Sequence, residues 1–440
     1  MVDGLVNTDA LYRRIGWRLI PLIFLGYVFA YLDRINVGFA ALQMKADLGF
    51  TDAVYGTAAG IFFVGYLVFE LPSNVLLKRI GARLTIARIM ICWGITSSFM
   101  LFVRTPTAFY IMRVLLGAFE AGFAPGVLLF LTFWFPKKRL AHITALFLSG
   151  STVAGLIGAP ISGFVLDGAD GMLGLRGWQW LFLLEGLPAV ILGFVVLRYL
   201  PDSPRAAPWL SEPERKAVLA ELSGGVTHQS RGRGVRRALT SPQVYLAGVA
   251  WLCVVCGIYA VSFWMPMLMR AAGVANAAAI GLWSILPYGA GTIGMILLSR
   301  NSDRTRDRRW HVIGCNLAAA VSLASLPFVS GSFPMTISML TVATVAVFSA
   351  MPILWAIPMA VFPEEIAPAG IAVVSSIGLV GGFLSPFVMG WTKAVTGNLN
   401  NGLYLISVVL VIGTVLVARI ASDDAVAKSS EQVDADPAVR

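Results

Sequence analysis

Twelve apolar segments, each of about 20 residues, recur along the sequence. A helix of this length can cross the hydrocarbon core of a bilayer, because its backbone groups form their hydrogen bonds within the helix. The 440-residue chain is 58% hydrophobic and 13% charged, which excludes a soluble globular domain. The segments lie at 17–38, 54–77, 84–103, 107–134, 140–166, 178–200, 242–269, 277–299, 311–330, 335–361, 367–392 and 402–421. The sequence therefore predicts an all-α polytopic membrane protein with twelve transmembrane helices.

Positive charge is concentrated on one side of the predicted membrane. If the N-terminus is cytoplasmic, most of the 33 Lys and Arg residues lie in cytoplasmic segments. The outer loops then hold five, namely Lys45, Arg104, Arg176, Arg270 and Lys393. This asymmetry predicts that both termini are cytoplasmic. Topology thus accounts for the net charge of +10, and the basic run at 231–237 requires no nucleic-acid partner.

A polar stretch at 201–241 separates the apolar segments into two sets of six. Within it, Ser211 and Glu214 have the spacing of a capping box, which predicts a short surface helix. We predict an N-terminal six-helix bundle at 1–200, a cytoplasmic linker at 201–241, a C-terminal six-helix bundle at 242–421 and a disordered cytoplasmic tail at 422–440.

Two charged residues, Arg113 and Glu120, interrupt the fourth apolar segment. They are seven residues apart, so a helix places them on one face, about 10 Å apart in depth. A charge in the middle of a membrane helix costs roughly 2.5 to 3.5 kcal/mol, and it persists where it faces a polar cavity or a partner. We interpret this helix as one that lines a central polar pathway. The alternative is a structural ion pair that joins two helices.

The last two turns of the first apolar segment contain Tyr31, Asp33 and Arg34, and both charges lie at a depth close to that of Arg113. Each guanidinium group presents a planar fork of donors, so two arginines from different helices could bind one carboxylate. The alternative is that Asp33 and Arg34 lie at the membrane interface and are solvated. In the second half, aromatic residues such as Trp355 could form the apolar wall of a binding cavity, although lipid contact or core packing is the alternative.

A basic hairpin follows the second helix of each six-helix set, as KRIGAR at 78–83 and as RNSDRTRDRR at 300–309. Such a repeat predicts two related bundles with a site between them. The hairpins resemble those of the major facilitator superfamily, whose pattern is D-R-x-G-x-R. In the first hairpin, Lys78 occupies the position where the family usually has the acid. The resemblance implies a role in gating for Arg79, Gly81, Arg83, Asp303 and Arg304.

Further stretches resemble the anion:cation symporter branch of this superfamily, namely YLDRINVG at 31–38, LPSNVLLKRIGAR at 71–83, RVLLGAFEAGFAPG at 113–126, WQWLFLLEGLPA at 178–189 and SRNSDRTRDRRWH at 299–311. That branch includes bacterial permeases for tartrate, sugar acids and related carboxylates. The resemblance implies that Asp33 and Glu120 are protonation sites. It also implies that the substrate carboxylate is contacted or oriented by Arg34, Arg113 and Tyr66.

Three more residues are candidates for substrate binding. Tyr31 lies three residues before Arg34 on nearly the same helix face. Ser151 lies in the fifth apolar segment among small residues, whose pattern close helix packing also explains. Ser375 lies in the eleventh segment at a position where relatives often have Asn, so hydroxyl recognition by an amide is not expected there.

The resemblance implies uptake of a small organic carboxylate by proton-coupled symport, with alternating access and no cofactor. An enzyme is not expected, because the histidines His142, His228 and His311 lie in loops or at cytoplasmic helix ends. A GxGxxG pattern at 289–294 lies inside an apolar segment with no strand before it, which argues against a dinucleotide site. The expected partners are the anion, protons and the lipid of the cytoplasmic membrane, and the chain is expected to act as a monomer. An exporter and a non-transporting sensor are the alternatives.

Overall fold

The fold is described by a computed structural model for residues 7–223, 231–363 and 366–420. Within these ranges the chain forms α-helices and three short 3-10 helices, and it contains no strand. The α-helices are α1 Thr8–Leu48, α2 Asp52–Ile80, α3 Ala82–Phe99, α4 Pro106–Glu120, α5 Phe123–Thr132, α6 Lys137–Leu148, α7 Gly150–Gly168, α8 Gly177–Tyr199, α9 Glu212–Ser223, α10 Arg231–Thr240, α11 Pro242–Ala271, α12 Ala277–Thr305, α13 Arg308–Val329, α14 Phe333–Val361, α15 Ala367–Thr396 and α16 Asn400–Arg419.

In the described part of the chain, twelve stretches of helix are long and apolar enough to cross a membrane. The α4–α5 pair forms one of these stretches and the α6–α7 pair forms another, while α9 and α10 lie between the sixth and the seventh. The prediction of an all-α protein with twelve transmembrane helices is confirmed. The predicted tail at 422–440 lies outside the described residues.

The first helix extends well beyond the predicted end of its apolar segment at residue 38, and it stops at Leu48 before Gly49, whose φ is +67°. Its last turns are held by polar contacts with the start of α8. The backbone N–H of Trp178 donates to Gln43 Oε1 at 3.1 Å, and the Trp178 indole donates to Asp47 Oδ2 at 2.9 Å. As a result, Asp33 and Arg34 lie well inside the helix and not at its end.

The fourth membrane span is broken directly after Glu120. Ala121 has an extended backbone, and Gly122 has a φ of +86°, a conformation that glycine adopts more readily than other residues. A Cβ atom at Gly122 would lie 2.6 Å from the Cβ of Ser73, so α2 passes close to this break. The break makes Glu120 the last residue of α4, where its side chain meets α1.

The described residues form two compact units. The first contains residues 7–50 and 61–223, and the second contains residues 51–60, 231–363 and 366–420. The α2 helix contributes to both, because its first turns pack with the second unit: the Tyr55 hydroxyl donates to the carbonyl oxygen of Phe263 at 2.7 Å.

Close packing in the first unit depends on small residues. A Cβ atom at Gly94 in α3 would lie 2.7 Å from the carbonyl oxygen of Gly186 in α8. A Cβ atom at Gly117 in α4 would lie 1.9 Å from the carbonyl oxygen of Phe62 in α2. Small residues let membrane helices approach to backbone contact, which fixes the depth of neighbouring side chains. Glu185 and Glu120 are each positioned by one of these contacts.

In the second unit, α11 packs against α14, α15 and α16. The ring of Trp251 in α11 occupies the space beside Gly378 of α15, where a Cβ atom would lie 2.0 Å from Trp251 Cδ1. The same ring lies 5.1 Å, centroid to centroid, from that of Trp355 in α14. Aromatic packing thus ties three helices of this unit together.

The predicted short helix after the sixth span is present as α9. Its start has half of the expected capping box, in which the backbone N–H of Ser211 donates to Glu214 Oε2 at 3.0 Å. Glu214 also pairs with Arg14 of α1 at 2.6 Å. The Ser211 hydrogen bond, and then Arg14, lower the pKa of Glu214. This contact attaches the start of the linker region to the first unit.

Candidate functional site

Arg34 of α1 and Glu120 of α4 form an ion pair inside the first unit. The Glu120 side chain is 1% exposed, and the Arg34 side chain is largely buried. A buried ion pair loses the hydration of both groups, so it is poor evidence for stability and is more informative about function. The two residues are far apart in the sequence, and the pairing results from the break that ends α4 at Glu120.

Aromatic rings surround the guanidinium group of Arg34. Its central carbon lies 5.3 Å from the ring centroid of Phe62, 5.5 Å from that of Tyr66 and 5.8 Å from that of Tyr31. Aromatic faces attract cations, and Arg is the cation that most often occupies such positions. Two of the sequence-predicted residues, Tyr31 and Tyr66, are therefore brought together around Arg34.

Arg113 contacts the same aromatic ring as Arg34. Its guanidinium carbon lies 5.1 Å from the centroid of Phe62, and the side chain is 0% exposed. The positive charge of Arg113 acts on the carboxyl groups of both Asp33 and Glu120. The structure therefore places the four predicted charged residues in one buried region of the first unit, with two arginines against Phe62.

Asp33 has a different set of partners from its neighbour Arg34. It is 0% exposed and accepts hydrogen bonds from the Ser97 hydroxyl at 2.5 Å and from the Trp93 indole at 3.1 Å, both of α3. The Asn36 amide lies at 3.4 Å from the same carboxyl group. These donors are neutral, so they hold the carboxyl group in place without pairing its charge.

The sequence pattern does not predict roles for Ser97, Trp93, Asn36 or Phe62. Thr96, Ser97 and Ser98 form a polar run within an apolar helix, and this run was the available signal for a buried polar partner. Phe62 gave no such signal, because one phenylalanine among many apolar residues has no distinctive pattern.

Ser151 lies in the first turn of α7 and is buried, and its hydroxyl donates to the Leu148 carbonyl oxygen at 2.9 Å. In the second unit, Trp355 packs against Trp251, and Ser375 is half-buried on α15. These three residues stay predicted substrate contacts.

The first hairpin contains an acid that comes from elsewhere in the chain. Gly81 has a φ of +92°, and Asp202, which follows α8, accepts the backbone N–H of Arg83 at 2.8 Å. The Arg79 and Arg83 side chains are exposed. Asp202 thus supplies a carboxylate at the start of α3, in the hairpin where Lys78 replaces the family's usual acid.

The second hairpin is built differently. Asp303 and Arg304 are exposed in the last turns of α12, which ends before Arg306 with a φ of +54°. Asp307 accepts the backbone N–H of Trp310 at 3.1 Å and so caps α13. The acid that matches the family pattern, Asp303, is therefore not the one that caps the following helix.

Comparison with known proteins identifies the family. The Major Facilitator Superfamily profile matches residues 23–386. The chain belongs to the major facilitator superfamily. It is thus a membrane transporter of that superfamily and not an enzyme, which confirms both the predicted fold class and the predicted absence of an enzymatic function.

Two relatives and one solved structure illustrate the similarity. A protein of Agrobacterium vitis named "Putative tartrate transporter" is 42% identical over 95% of this chain and 94% of its own length. A "Quinolone resistance transporter" of Acinetobacter baumannii is 38% identical over 92% of this chain and 93% of its own. The crystal structure of a bacterial homologue of the human lysosomal transporter Spinster superposes with a TM-score of 0.74 at 18% identity, over 93% of this chain and 97% of that one, and shows the shared fold.

Proposed function

We propose that this protein takes up a small organic carboxylate together with protons. The observation that carries the proposal is the buried Arg34–Glu120 ion pair, with Arg113 in the same aromatic cluster. Guanidinium groups suit carboxylates because their planar fork donates two parallel hydrogen bonds. The similarity to a putative tartrate transporter supports an anion of this class.

The proposed coupling follows from competition for Arg34. While Glu120 is ionised, it neutralises the guanidinium group, and an incoming anion has to displace it. A proton on Glu120 removes the competing charge and leaves Arg34 and Arg113 available to the substrate. Proton binding then strengthens anion binding, and anion binding strengthens proton binding to the same extent. The coupling free energy between two such sites is typically about 1–3 kcal/mol.

Asp33 is proposed as the second protonation site. Its hydrogen bonds from Ser97 and Trp93 hold the carboxyl group, and the charge of Arg113 reaches it. Tyr31 and Tyr66 are proposed to orient the substrate carboxylate beside Arg34, whereas Ser151, Trp355 and Ser375 are proposed to contact the remainder of the molecule.

The transport cycle is proposed to be alternating access between two bundles, residues 1–200 and 242–421, joined by the cytoplasmic segment 201–241. Both termini are proposed to be cytoplasmic in the inner membrane, with the monomer as the functional unit and the anion, protons and lipid as its partners. No nucleic-acid partner is proposed. The hairpin residues proposed for gating are Arg79, Gly81, Arg83, Asp303 and Arg304, to which we add Asp202.

The experiment is uptake of labelled tartrate, sugar acids and aromatic acids into proteoliposomes, with and without an inward proton gradient. Protein-free liposomes and the Arg113→Lys variant serve as controls. Accumulation of one acid only with the gradient would support symport and identify the substrate. Outward movement driven by the gradient, or no movement of any acid, would contradict the proposal.

The second candidate function is export, which the similarity to a quinolone resistance transporter favours. The same proteoliposomes distinguish the two functions. An exporter exchanges its substrate against protons, so an inward gradient would empty preloaded vesicles, whereas a symporter would fill them.

A further inference from the structure

Glu185 of α8 is a buried acid that the proposed transport cycle does not use. Its side chain is 3% exposed and lies in a transmembrane helix. One carboxyl oxygen, Oε1, accepts a hydrogen bond from the Ser162 hydroxyl of α7 at 2.7 Å. The other oxygen, Oε2, is buried and has no hydrogen-bond partner among the described residues.

The helices that pack against α8 surround Glu185 with neutral groups, apart from the carboxyl group of Asp33. Ser162 comes from α7, and the backbone of Ser98 in α3 lies close beside Gly186. Asn36 and Asp33 come from α1, and Asp33 is the charged group that acts on Glu185. Within the described part of the chain, no cationic side chain pairs with Glu185.

The neighbouring Asn36 adds a second oxygen that lacks a donor. Its amide nitrogen lies 3.4 Å from Asp33 Oδ1, while its own Oδ1 is buried and has no hydrogen-bond partner in the described residues. Asn36 lies beside the Glu185 carboxyl group and acts on it as a neutral hydrogen-bonding side chain. Two buried acceptor oxygens of this region, Glu185 Oε2 and Asn36 Oδ1, have no donor in hydrogen-bond geometry among the described residues. A carboxylic acid differs from a carboxylate in having one O–H donor, which this region needs.

The charges around Glu185 also favour the neutral acid over the carboxylate. An ionised carboxylate that is taken out of water with only neutral partners, the Ser162 hydroxyl and the Asn36 amide, and no counter-ion is strongly unfavourable. A second negative charge nearby, on Asp33, adds to that cost. Two interacting acids of this kind release their protons in separate steps that belong to the pair.

We propose that Glu185 holds a proton at neutral pH and forms a proton-binding site of its own beside Asp33. Its protonation is independent of the direction of transport and of the substrate. Its contribution to transport rests on the proposed function: with Glu185 neutral, Asp33 is the member of the pair that exchanges its proton during the cycle.

Infrared spectroscopy of the full-length protein in liposomes tests the proposal directly. The carbonyl stretching band of a protonated carboxylic acid is recorded at neutral pH for the wild type and for Glu185→Gln. The expected result is a band in the wild type that Glu185→Gln loses. Glu214→Gln is the matched control and should keep it, because Glu214 lies outside the candidate membrane spans and is ion-paired with Arg14. Identical wild-type and Glu185→Gln spectra in this region would overturn the proposal.

A second variant keeps the acid and changes its hydrogen bond. Ser162→Ala removes the hydroxyl that donates to Oε1, so the Glu185 band should shift in frequency while it persists. If the band is absent from this variant, or keeps its wild-type frequency, the proposal is wrong, even where Glu185→Gln does not fold.

The pH dependence of uptake distinguishes a proton-binding role of Glu185 from a packing role, which would not change it. Glu185→Gln fixes a neutral side chain, so at neutral pH its uptake should be comparable to that of the wild type. At alkaline pH both proteins should lose uptake as Glu120 ionises, and the wild type should lose more than the variant, because Glu185 ionises as well. Parallel pH profiles would contradict the proposal, while failure of all uptake in the wild type would concern the proposed function and leave the infrared result valid.

Discussion

Asp33 and Arg34 are adjacent in α1, yet their side chains lie in different environments. Arg34 pairs with Glu120 among aromatic rings, whereas Asp33 accepts hydrogen bonds from Ser97 and Trp93 of α3. Successive residues of a helix point about 100° apart, so one turn presents a cation to α4 and an acid to α3. The acid that pairs with Arg34 is therefore Glu120 from another helix and not its neighbour in the sequence.

Replacing Arg113 by Lys should weaken carboxylate binding by at least about tenfold, or roughly 1.4 kcal/mol. The ammonium group keeps the charge but loses the planar fork, and it does not lie against the Phe62 ring as a guanidinium group does. Equilibrium binding to the purified variant measures the change. Arg104→Lys is the control, since Arg104 lies before α4 and outside the cluster, and an equal loss there would argue against a specific role for Arg113.

Replacing Ser97 by Ala should lower the free energy of unfolding by about 1–3 kcal/mol, because the buried Asp33 carboxyl group loses its closest donor. Thermal unfolding in detergent measures this. Ser98→Ala is a matched control, since that hydroxyl donates to the Gly94 carbonyl within its own helix. In the Asp33→Asn background the Ser97 effect should shrink, and an unchanged effect would show that the hydroxyl does not act through Asp33.

The sequence predicted the spans because hydrophobic length alone determines them, but it did not predict the end of α1. Hydrophobicity indicates which residues lie in the lipid. The helix continues past this apolar run because Gln43 and Asp47 accept hydrogen bonds from Trp178 of α8. The identity of Glu120 as the partner of Arg34 was also beyond the sequence. Spacing relates residues within one helix, whereas this pair depends on the break at Gly122 and on the approach of α1 to α4.

Replacing Gly122 by Ala should destabilise the first unit by roughly 1–2 kcal/mol from the positive φ, with an additional cost for the contact with Ser73. The proportion of monodisperse protein and the unfolding temperature report the loss. Gly16→Ala is the control, because a Cβ atom there meets nothing within 4 Å and the site is helical. A tolerated Gly122→Ala would show that the break does not require glycine.

Replacing Asp202 by Ala should cost about 0.5–2 kcal/mol, the range for loss of an N-terminal helix cap, because the Arg83 amide loses its acceptor. Asp202→Asn keeps an oxygen acceptor and should be milder. Unfolding temperature and transport rate are compared for the two variants. Equal behaviour of Asn and Ala would indicate that the charge matters and the hydrogen bond does not.

The central claim is that a proton on Glu120 makes Arg34 available to the anion. The most direct test is the affinity of the purified protein for the carboxylate that it transports, measured across a range of pH in the wild type and in Glu120→Gln. The account predicts that affinity falls as pH rises in the wild type, and that most of this dependence is lost in Glu120→Gln, which still binds and exchanges the anion. An affinity that is independent of pH in the wild type, or equally dependent in both proteins, would contradict it.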